Sequence, residues 1–414
     1  MKTIFRHILI LLWVSCSCST FAGTVNVIPG KGKIISEAIK KATAGDTLFI
    51  NTGLYKESDI NVNKRLFIIG KGNPVIDGQK RSEIFVISAD SVAITGLTVQ
   101  NTGTSSMSDM AAIRVQKADY VIISDNKLLN NTYGVYIQNS ARSIVRDNFI
   151  NTNTDKEYNS GNGVHVWRGE GLLILNNKIY GHRDGIYLEF VIKSKVVGNT
   201  SVNNKRYGLH FMFSHNDEYR NNLFSGNGSG VAVMFSNHVE MYGNTFQDNW
   251  GDASYGLLLK EITDGVIEHN IFTKNTVGIY MEGATRIHTQ RNLFKDNGWA
   301  MRIQASSSQG SFVGNNFISN TFDVATNGTM VMNVFKQNYW DKYDGYDLDK
   351  NNVGDIAYYP VSLYAVLTEK VPTSMILYHS FLTDIMDKVE KVMPSIIPDQ
   401  LKDDEPMMKK CTLK

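Results

Sequence analysis

A short pattern that recurs about every 22 residues is the feature of this sequence that most restricts its fold. Seven glycines each precede a segment in which apolar residues hold the first and third positions, whereas the second and fourth positions are mixed. An alternation with a period of two predicts strands with one buried face. We therefore expect each repeat to add one strand to a core that all repeats share. The glycines, mostly spaced by 22 or 23 residues, are Gly134, Gly163, Gly185, Gly208, Gly230, Gly256 and Gly278.

A second periodic series consists of asparagines, several of which are followed by phenylalanine. Asparagine tolerates left-handed turns, and its amide can bond to the amides of the coils above and below. The two series together predict an all-β fold, a right-handed parallel β-helix with coils of about 22 residues over residues 23–340. The wider glycine spacings predict loops at 154–160 and 250–254. The second series is Asn126, Asn148, Asn177, Asn199, Asn222, Asn244, Asn270, Asn292 and Asn316, with Phe149, Phe224, Phe246, Phe272, Phe294 and Phe317.

Each end of an open β-helix exposes core and strand edges, so each end is expected to carry a cap. Helical spacing over residues 34–42 predicts an N-terminal helical cap. Residues 341–372 read as an acidic loop and linker, and residues 373–414 as a C-terminal helical extension, an amphipathic helix followed by a mobile tail. The helix, Ser374–Val392, has two interpretations: it caps the core, or it docks another protein.

The acidic loop contains a candidate calcium site at Asp347 and Asp349. Oxygen side chains that alternate along a loop are typical Ca²⁺ ligands. The position of Gly354 and the lack of a terminal glutamate fit the standard calcium loop poorly. An ordinary Asp/Asn/Gly turn is therefore the alternative interpretation.

The first residues have the pattern of a secretory leader. Lys2 and Arg6 precede the apolar run 8–14, and small residues follow near residue 22, which predicts a signal peptide over residues 1–22 and export. Lipidation at Cys16 or Cys18 is an alternative in which the chain stays anchored. The formal net charge of +2 and the absence of a basic run argue against nucleic acid as a partner.

Several longer strings resemble the NosD family over nearly the whole mature chain. They are Tyr207–His215 (YGLHFMFSH), Gly230–Met234 (GVAVM), Tyr255–Lys260 (YGLLLK), Asp323–Gly328 (DVATNG) and Asn338–Asp341 (NYWD). The resemblance implies a periplasmic accessory protein without enzymatic activity, associated peripherally with the inner membrane through an ABC transporter. The implied partners are the transporter's membrane subunit and ATPase, a copper-carrying lipoprotein, and nitrous oxide reductase, whose copper centre is assembled after export.

Candidate copper ligands lie at the outward second and fourth positions of the strand repeats. Imidazole and thioether groups suit copper, and Cu(I) in particular. Met212 and Met234 belong to adjacent coils, so their sulfurs are expected to share one transient Cu(I) ion with His210. The alternative is a protein-binding surface, where methionine is common. The complete candidate set is His210, Met212, Met234, His215 and His165.

The rival function is that of a carbohydrate-binding or polysaccharide-processing β-helix. Glycoside hydrolysis needs two carboxyl groups about 5–9.5 Å apart. Glu189 and Glu282 lie four repeats apart, which corresponds to roughly 19 Å at the usual strand spacing. Glycosidase or lyase activity is therefore not expected. Trp167, Tyr187 and Tyr280 leave non-catalytic sugar binding as an alternative.

Overall fold

The computed structural model describes residues 22–105, 107–153, 160–328, 332–378, 380–392 and 401–412. The signal peptide prediction, with Cys16 and Cys18, falls on residues 1–21, which lie outside the described residues. Most of the predicted loop 154–160 lies outside them too.

The chain folds as a right-handed parallel β-helix of about 13 coils, which confirms the predicted fold class. Three parallel sheets run along the described residues, and each coil between the first and the last contributes a strand to each of them. The first sheet contains Thr24–Val27, Thr47–Asn51, Phe67–Lys71, Ala93–Thr95, Ile122–Ser124, Ile144–Arg146, Leu173–Leu175, Lys195–Val197, Glu218–Arg220, Glu240–Tyr242, Thr263–Glu268, Thr285–Gln290, Ser311–Val313 and Val334–Lys336.

The second sheet carries the glycine-led repeats. Its strands are Ile60–Val62, Phe85–Ile87, Ala111–Gln116, Tyr133–Ala141, Val164–Glu170, Asp184–Ile192, Tyr207–Met212, Ser229–Met234, Tyr255–Lys260, Val277–Glu282, Trp299–Ile303 and Phe322–Ala325. The third sheet contains Leu54–Lys56, Val75–Asp77, Thr98–Gln100, Lys127–Leu129, Phe149–Asn151, Lys178–Tyr180, Thr200–Val202, Leu223–Ser225, Thr245–Gln247, Ile271–Thr273, Leu293–Lys295, Asn316–Ile318 and Tyr339–Trp340.

Glycine begins the repeats of the second sheet because the coils approach closely there. A Cβ atom on Gly208 would lie 2.7 Å from the carbonyl oxygen of Gly230 in the next coil. After the glycine, the first and third side chains enter the core, as with Val231 and Val233, which are fully buried. The alternation seen in the sequence therefore gives the inward face correctly.

The asparagine series forms the predicted ladder at one corner. Asn199, for example, donates from its backbone N–H and its Nδ2 to the Oδ1 of Asn222, at 2.8 and 3.0 Å. One member of the prediction is wrong: the rung above Asn292 is Asn315, not Asn316. A second ladder, which the sequence analysis missed, runs up another corner through Asn204, Asn227, Asn249, Asn275, Asn297 and Asn320.

The N-terminal end is closed by helix α1, Ile34–Lys41, which confirms the predicted helical cap. Ile35 and Ile39 are buried against the first coils. The carboxylate of Glu57, from the following coil, accepts hydrogen bonds from the backbone N–H groups of Ile35 and Ser36 at 3.0 and 2.9 Å. This contact satisfies donors that a helix start otherwise leaves unpaired.

The C-terminal extension is helical but interrupted. Helix α2, Leu363–Lys370, lies within the stretch read as linker, a 3-10 helix follows at Pro372–Leu377, and helix α3 covers Phe381–Val392. Tyr364 and Ala365 of α2 pack on Phe322 of the last coil. Among the helices described, none is long and apolar enough to cross a membrane.

Residues 401–412 return to the last coil, so the prediction of a mobile tail is wrong for this segment. Asp403 is fully buried and forms isolated bridges with Phe335 and Tyr358. Its Oδ2 accepts from the backbone N–H and the Nδ2 of Asn338, both at 3.0 Å, in the place of a further asparagine rung. The segment thus ends the asparagine ladder with a carboxylate.

Candidate functional site

Two ladders of side chains lie on the outer face of the second sheet. The second position of each repeat stacks Arg114, Tyr136, His165, Tyr187, His210 and Ala232 on successive strands. The fourth position stacks Gln138, Trp167, Glu189, Met212, Met234, Lys260 and Glu282. These ladders place the predicted ligands relative to one another.

Met212 and Met234 are register partners on adjacent strands, and both are half-buried. His210 lies two positions before Met212 on the same strand, with its side chain on the same face. The Tyr187 hydroxyl donates to the sulfur of Met212 at 3.7 Å. The structure therefore places two thioethers side by side with a phenol against one of them, and the imidazole of His210 lies two positions earlier on the same face.

His210 is more buried than the sequence analysis expected of an outward position. The residue is 5% exposed, because its ring lies between those of Tyr187 and Tyr207, with centroids 4.8 and 4.9 Å away. Neither ring nitrogen has a hydrogen-bond partner among the described residues. Buried polar atoms without partners are rare in folded proteins. A lone pair on the His210 imidazole is therefore not used by any hydrogen bond among the described residues.

A buried ion pair lies behind this histidine. Asp184 accepts hydrogen bonds from Nε and Nη2 of Arg206 at 2.8 and 2.5 Å, and its Oδ2 lies 3.7 Å from Nδ1 of His210. Burial works to raise the pKa of Asp184, but the hydrogen bonds and charge of Arg206, together with the neighbouring His210, outweigh it and hold that pKa below its usual value. The carboxylate stays charged and faces the imidazole.

His165 and His215 lie apart from the methionine pair. His165 is two strands from His210, with Tyr187 between them, and is 7% exposed rather than outward in solvent. Burial lowers the pKa of His165 to about 4, so its ring is neutral at physiological pH. The Nδ1 of His215 accepts from the backbone N–H of Asn237 at 3.2 Å, which commits it to a turn contact.

The candidate calcium loop has the hydrogen bonding of a turn. The carboxylate of Asp347 accepts from the backbone N–H groups of Asn351 and Asn352 at 3.1 and 2.8 Å, and Asp349 accepts from Asn351 at 3.2 Å. Across the ranges that the structure describes, no group of three or more His, Cys, Asp or Glu side chains is arranged to hold a metal ion.

A comparison with protein-family models identifies the family to which this chain belongs. The family model described as "Periplasmic copper-binding protein (NosD)" matches residues 26–159 and 150–345. This chain belongs to the NosD family. A protein of Stutzerimonas stutzeri named "Probable ABC transporter binding protein NosD" is 26% identical over 355 residues, which cover 81% of this chain and 80% of that relative. A NosD-family protein of Pseudomonas aeruginosa with the same name is 26% identical over 397 residues and covers 84% and 85%.

Solved structures outside the NosD family share the fold alone. The catalytic unit of a thermostable GH87 alpha-1,3-glucanase from Streptomyces thermodiastaticus has a TM-score of 0.59 at 13% identity and covers 79% of this chain and 71% of its own. The Dettilon tailspike protein has a TM-score of 0.58 at 12% identity, with coverages of 76% and 68%. Glu189 and Glu282 lie four strands apart here, so the register gives no hydrolytic pair at these positions.

Three features of the site escaped the sequence analysis. Asp184 directly precedes the glycine of its repeat, and Arg206 lies two residues before the glycine of the next repeat, so an Asp/Arg pair one coil apart was the available signal. Tyr207 likewise directly precedes a glycine, at Gly208. The third feature is a surface stack of Phe190, Phe213 and Phe235, whose spacing follows the repeat.

Proposed function

We propose that this NosD-family chain is a periplasmic accessory protein of an ABC transporter. In this role it receives Cu(I) from a copper-carrying lipoprotein and hands it on during assembly of the copper centre of nitrous oxide reductase. Membership of a family described as periplasmic and copper-binding supports the setting, as do relatives named ABC transporter binding proteins.

The register pairing of Met212 with Met234 is the observation that carries the proposal. Adjacent parallel strands lie about 4.8 Å apart, so two thioethers at paired positions can reach one ion. Sulfur ligands select Cu(I) over harder ions, and a thioether binds without losing a proton. Binding and release at these two residues therefore need no change in their protonation.

His210 supplies the third donor in this proposal. Its nitrogens have no hydrogen-bond partner in the described ranges of the chain, and its ring is held by two tyrosines and faced by the carboxylate of Asp184. Metal-binding histidines commonly direct the ring nitrogen that does not bind the metal toward a carboxylate. The carboxylate fixes the ring and raises the basicity of the nitrogen that binds the metal. With thioethers alone on the other side, the site holds copper loosely enough to pass it on.

Replacing both methionines tests the proposal in cells. Met212→Leu with Met234→Leu keeps volume and apolarity, so the β-helix should fold normally. The variant should be exported and assemble with its transporter, but the copper content and activity of nitrous oxide reductase should fall at least about tenfold. Met332→Leu is the matched control, because Met332 is exposed and distant in sequence from both residues. Fully active reductase with the double variant would contradict the proposal.

A further inference from the structure

The hydroxyl group of Tyr187 contacts one of the two methionines of the candidate copper site. It donates a hydrogen bond to the sulfur of Met212 at 3.7 Å, from one strand of the second sheet to the next. Both side chains are half-buried on the outer face of that sheet. The bond therefore ends on the atom through which Met212 would hold a metal ion.

Two histidine rings hold the phenol in place. Tyr187 lies in register between His165 and His210, and its ring centroid is 4.8 Å from the centroid of each imidazole. The ring planes meet at 68° and 60°, close to the edge-to-face arrangement that aromatic pairs favour. Because the ring is in contact on both sides, the hydroxyl keeps a fixed place beside Met212.

A thioether sulfur has two lone pairs, and this hydrogen bond uses one of them. The other lone pair remains for a metal ion, so the hydroxyl and copper can be bound to Met212 together. The hydrogen bond draws electron density away from the sulfur and thereby weakens its bond to the metal. Hydrogen bonds to ligand atoms, sulfur among them, are a general means by which proteins tune metal sites.

Glu189 is a second acceptor near the same hydroxyl. It is the register partner of Met212 and lies two residues after Tyr187 on the same face. Burial, and after it the charge of Glu189, raise the pKa of Tyr187, so the phenol keeps its proton and acts as a donor. One proton can serve one acceptor at a time, and the structure forms the bond to the sulfur. Removal of the hydroxyl has different consequences for the two acceptors, which makes the assignment testable.

We propose that Tyr187 is a positioning residue that sets how fast the site releases copper: its hydroxyl holds the Met212 sulfur and weakens the bond of that sulfur to Cu(I). The inference rests on the proposed function. A protein that passes copper on needs a site that also lets the ion go, and the phenol supplies this property without being a ligand itself.

Tyr187→Phe tests the inference, because it keeps the ring and its contacts with both histidines and removes one oxygen atom. The protein is loaded with Cu(I) without oxygen and mixed with bicinchoninate, a Cu(I) chelator whose colour reports the rate of release. Loss of the hydrogen bond should slow release and raise the Cu(I) affinity, each about threefold or more. The unfolding temperature should change little.

A second measurement reports on the Met212 sulfur itself. In nuclear magnetic resonance of the copper-free protein with isotope-labelled methionine methyl groups, the Met212 signal should shift in Tyr187→Phe, whereas that of the exposed Met332 should not. In a Met212→Leu background, Tyr187→Phe should no longer alter Cu(I) release, because the acceptor is gone. An equal effect in both backgrounds would show that Tyr187 acts through packing and would overturn the inference.

Tyr280→Phe is the matched control. Tyr280 occupies the same ladder position four strands away, about 19 Å at the usual spacing, and its substitution should leave Cu(I) release unchanged. Unchanged release from Tyr187→Phe would refute the inference and assign the hydroxyl to Glu189. Faster release would refute it too, since the hydroxyl would then strengthen copper binding.

Met212→Leu with Met234→Leu separates this inference from the proposed function. If the double variant still binds Cu(I) as the wild type does, the proposed function fails and the role of Tyr187 fails with it. If the double variant loses Cu(I) binding while Tyr187→Phe releases copper at the normal rate, the role of Tyr187 alone is wrong.

Discussion

Asp217 is a carboxyl group whose charged form is disfavoured by its burial in the fold. One of its oxygens accepts from the backbone N–H of Ser194 at 2.7 Å, and the other has no partner in the described part of the chain. Burial raises the pKa of Asp217 from 3.8 to about 8. The folded protein therefore keeps a proton that the unfolded chain releases. The associated stability is fully present below about pH 4 and is lost as the pH rises through about 8.

We expect Asp217→Asn to remove most of this pH dependence. Between about pH 5 and about pH 9, the free energy of unfolding of the wild type should fall by a few kcal/mol more than that of the variant. Urea denaturation at the two pH values measures the difference. Asp125→Asn, at an exposed turn, is the control and should follow the wild type. Equal slopes for wild type and Asp217→Asn would show that the carboxyl group is charged in the folded protein.

The sequence predicted the coil length and the inward face of each strand, but the exact position of a residue within its repeat was harder to predict. From Asn222 onward the ladder asparagine lies two residues before a buried aromatic ring, as Asn222 does before Phe224 and Asn315 before Phe317. Asn316 lies one residue after the ladder position, and this shift turns its side chain away from the ladder toward Cys411. Phe149 is exposed for the same reason, since it follows Asn148 directly.

The burial of His210 could not be predicted from alternation. The alternation with a period of two places the His210 side chain on the outer face of the sheet, and the strand register agrees with that placement. The rings of Tyr187 and Tyr207 and the pair of Asp184 with Arg206 then enclose it. Such enclosure depends on side chains from two adjacent coils and on their rotamers, which no local pattern encodes.

At the scale of elements, the C-terminal segment completes the β-helix from a distance of more than 60 residues. Besides its bonds to Asn338, Asp403 accepts from Trp340 Nε1 at 3.1 Å and, through Oδ1, from the backbone N–H of Gln337 at 3.1 Å. A carboxylate suits this place because every neighbour is a donor. The hydropathy pattern of residues 401–412 gave no sign of this contact.

Asp403→Ala should therefore destabilise the last coils. Each buried donor left without an acceptor costs about 1–3 kcal/mol, so the total should reach several kcal/mol. Amide hydrogen exchange of residues 334–340 should rise strongly, together with a lower urea midpoint. Asp404→Ala is the control, because Asp404 is exposed. Unchanged exchange at the last coil would mean that the segment does not hold it.

Helix α3 keeps an apolar stripe in solvent, which supports a docking role over a capping one. Phe381, Leu382, Ile385 and Val389 are all exposed, whereas α2 covers the last coil. We propose that this stripe binds the membrane subunit of the transporter. Deleting everything from Pro372 onward would also remove Asp403, so point substitutions give the cleaner test.

Phe381→Gln with Ile385→Gln should preserve the helix and the last coil while removing the stripe. Co-purification with the membrane subunit should fall at least about tenfold. Leu348→Gln, an exposed apolar residue of the acidic loop, serves as the control. Normal co-purification of the folded double variant would exclude the docking role and leave α3 a structural element.

At the scale of the whole molecule, the two proposed contacts lie at different places on one rod. Five strand steps separate the strand Tyr207–Met212 from the last strand of the second sheet, which corresponds to about 24 Å. The end carries α3 for the transporter, and the side carries the methionine pair. A rigid solenoid can thus hold a copper-exchanging partner at a fixed distance from the transporter.

X-ray absorption at the copper edge tests the central claim most directly. The mature protein, with Cys411→Ser to remove its free thiol, is loaded with Cu(I) without oxygen. We predict one ion per chain with about two sulfur ligands and one nitrogen ligand, and loss of the sulfur signal in Met212→Leu with Met234→Leu. Copper bound to the same number of sulfur atoms in the double variant, or copper without sulfur ligands in the parent protein, would contradict the account.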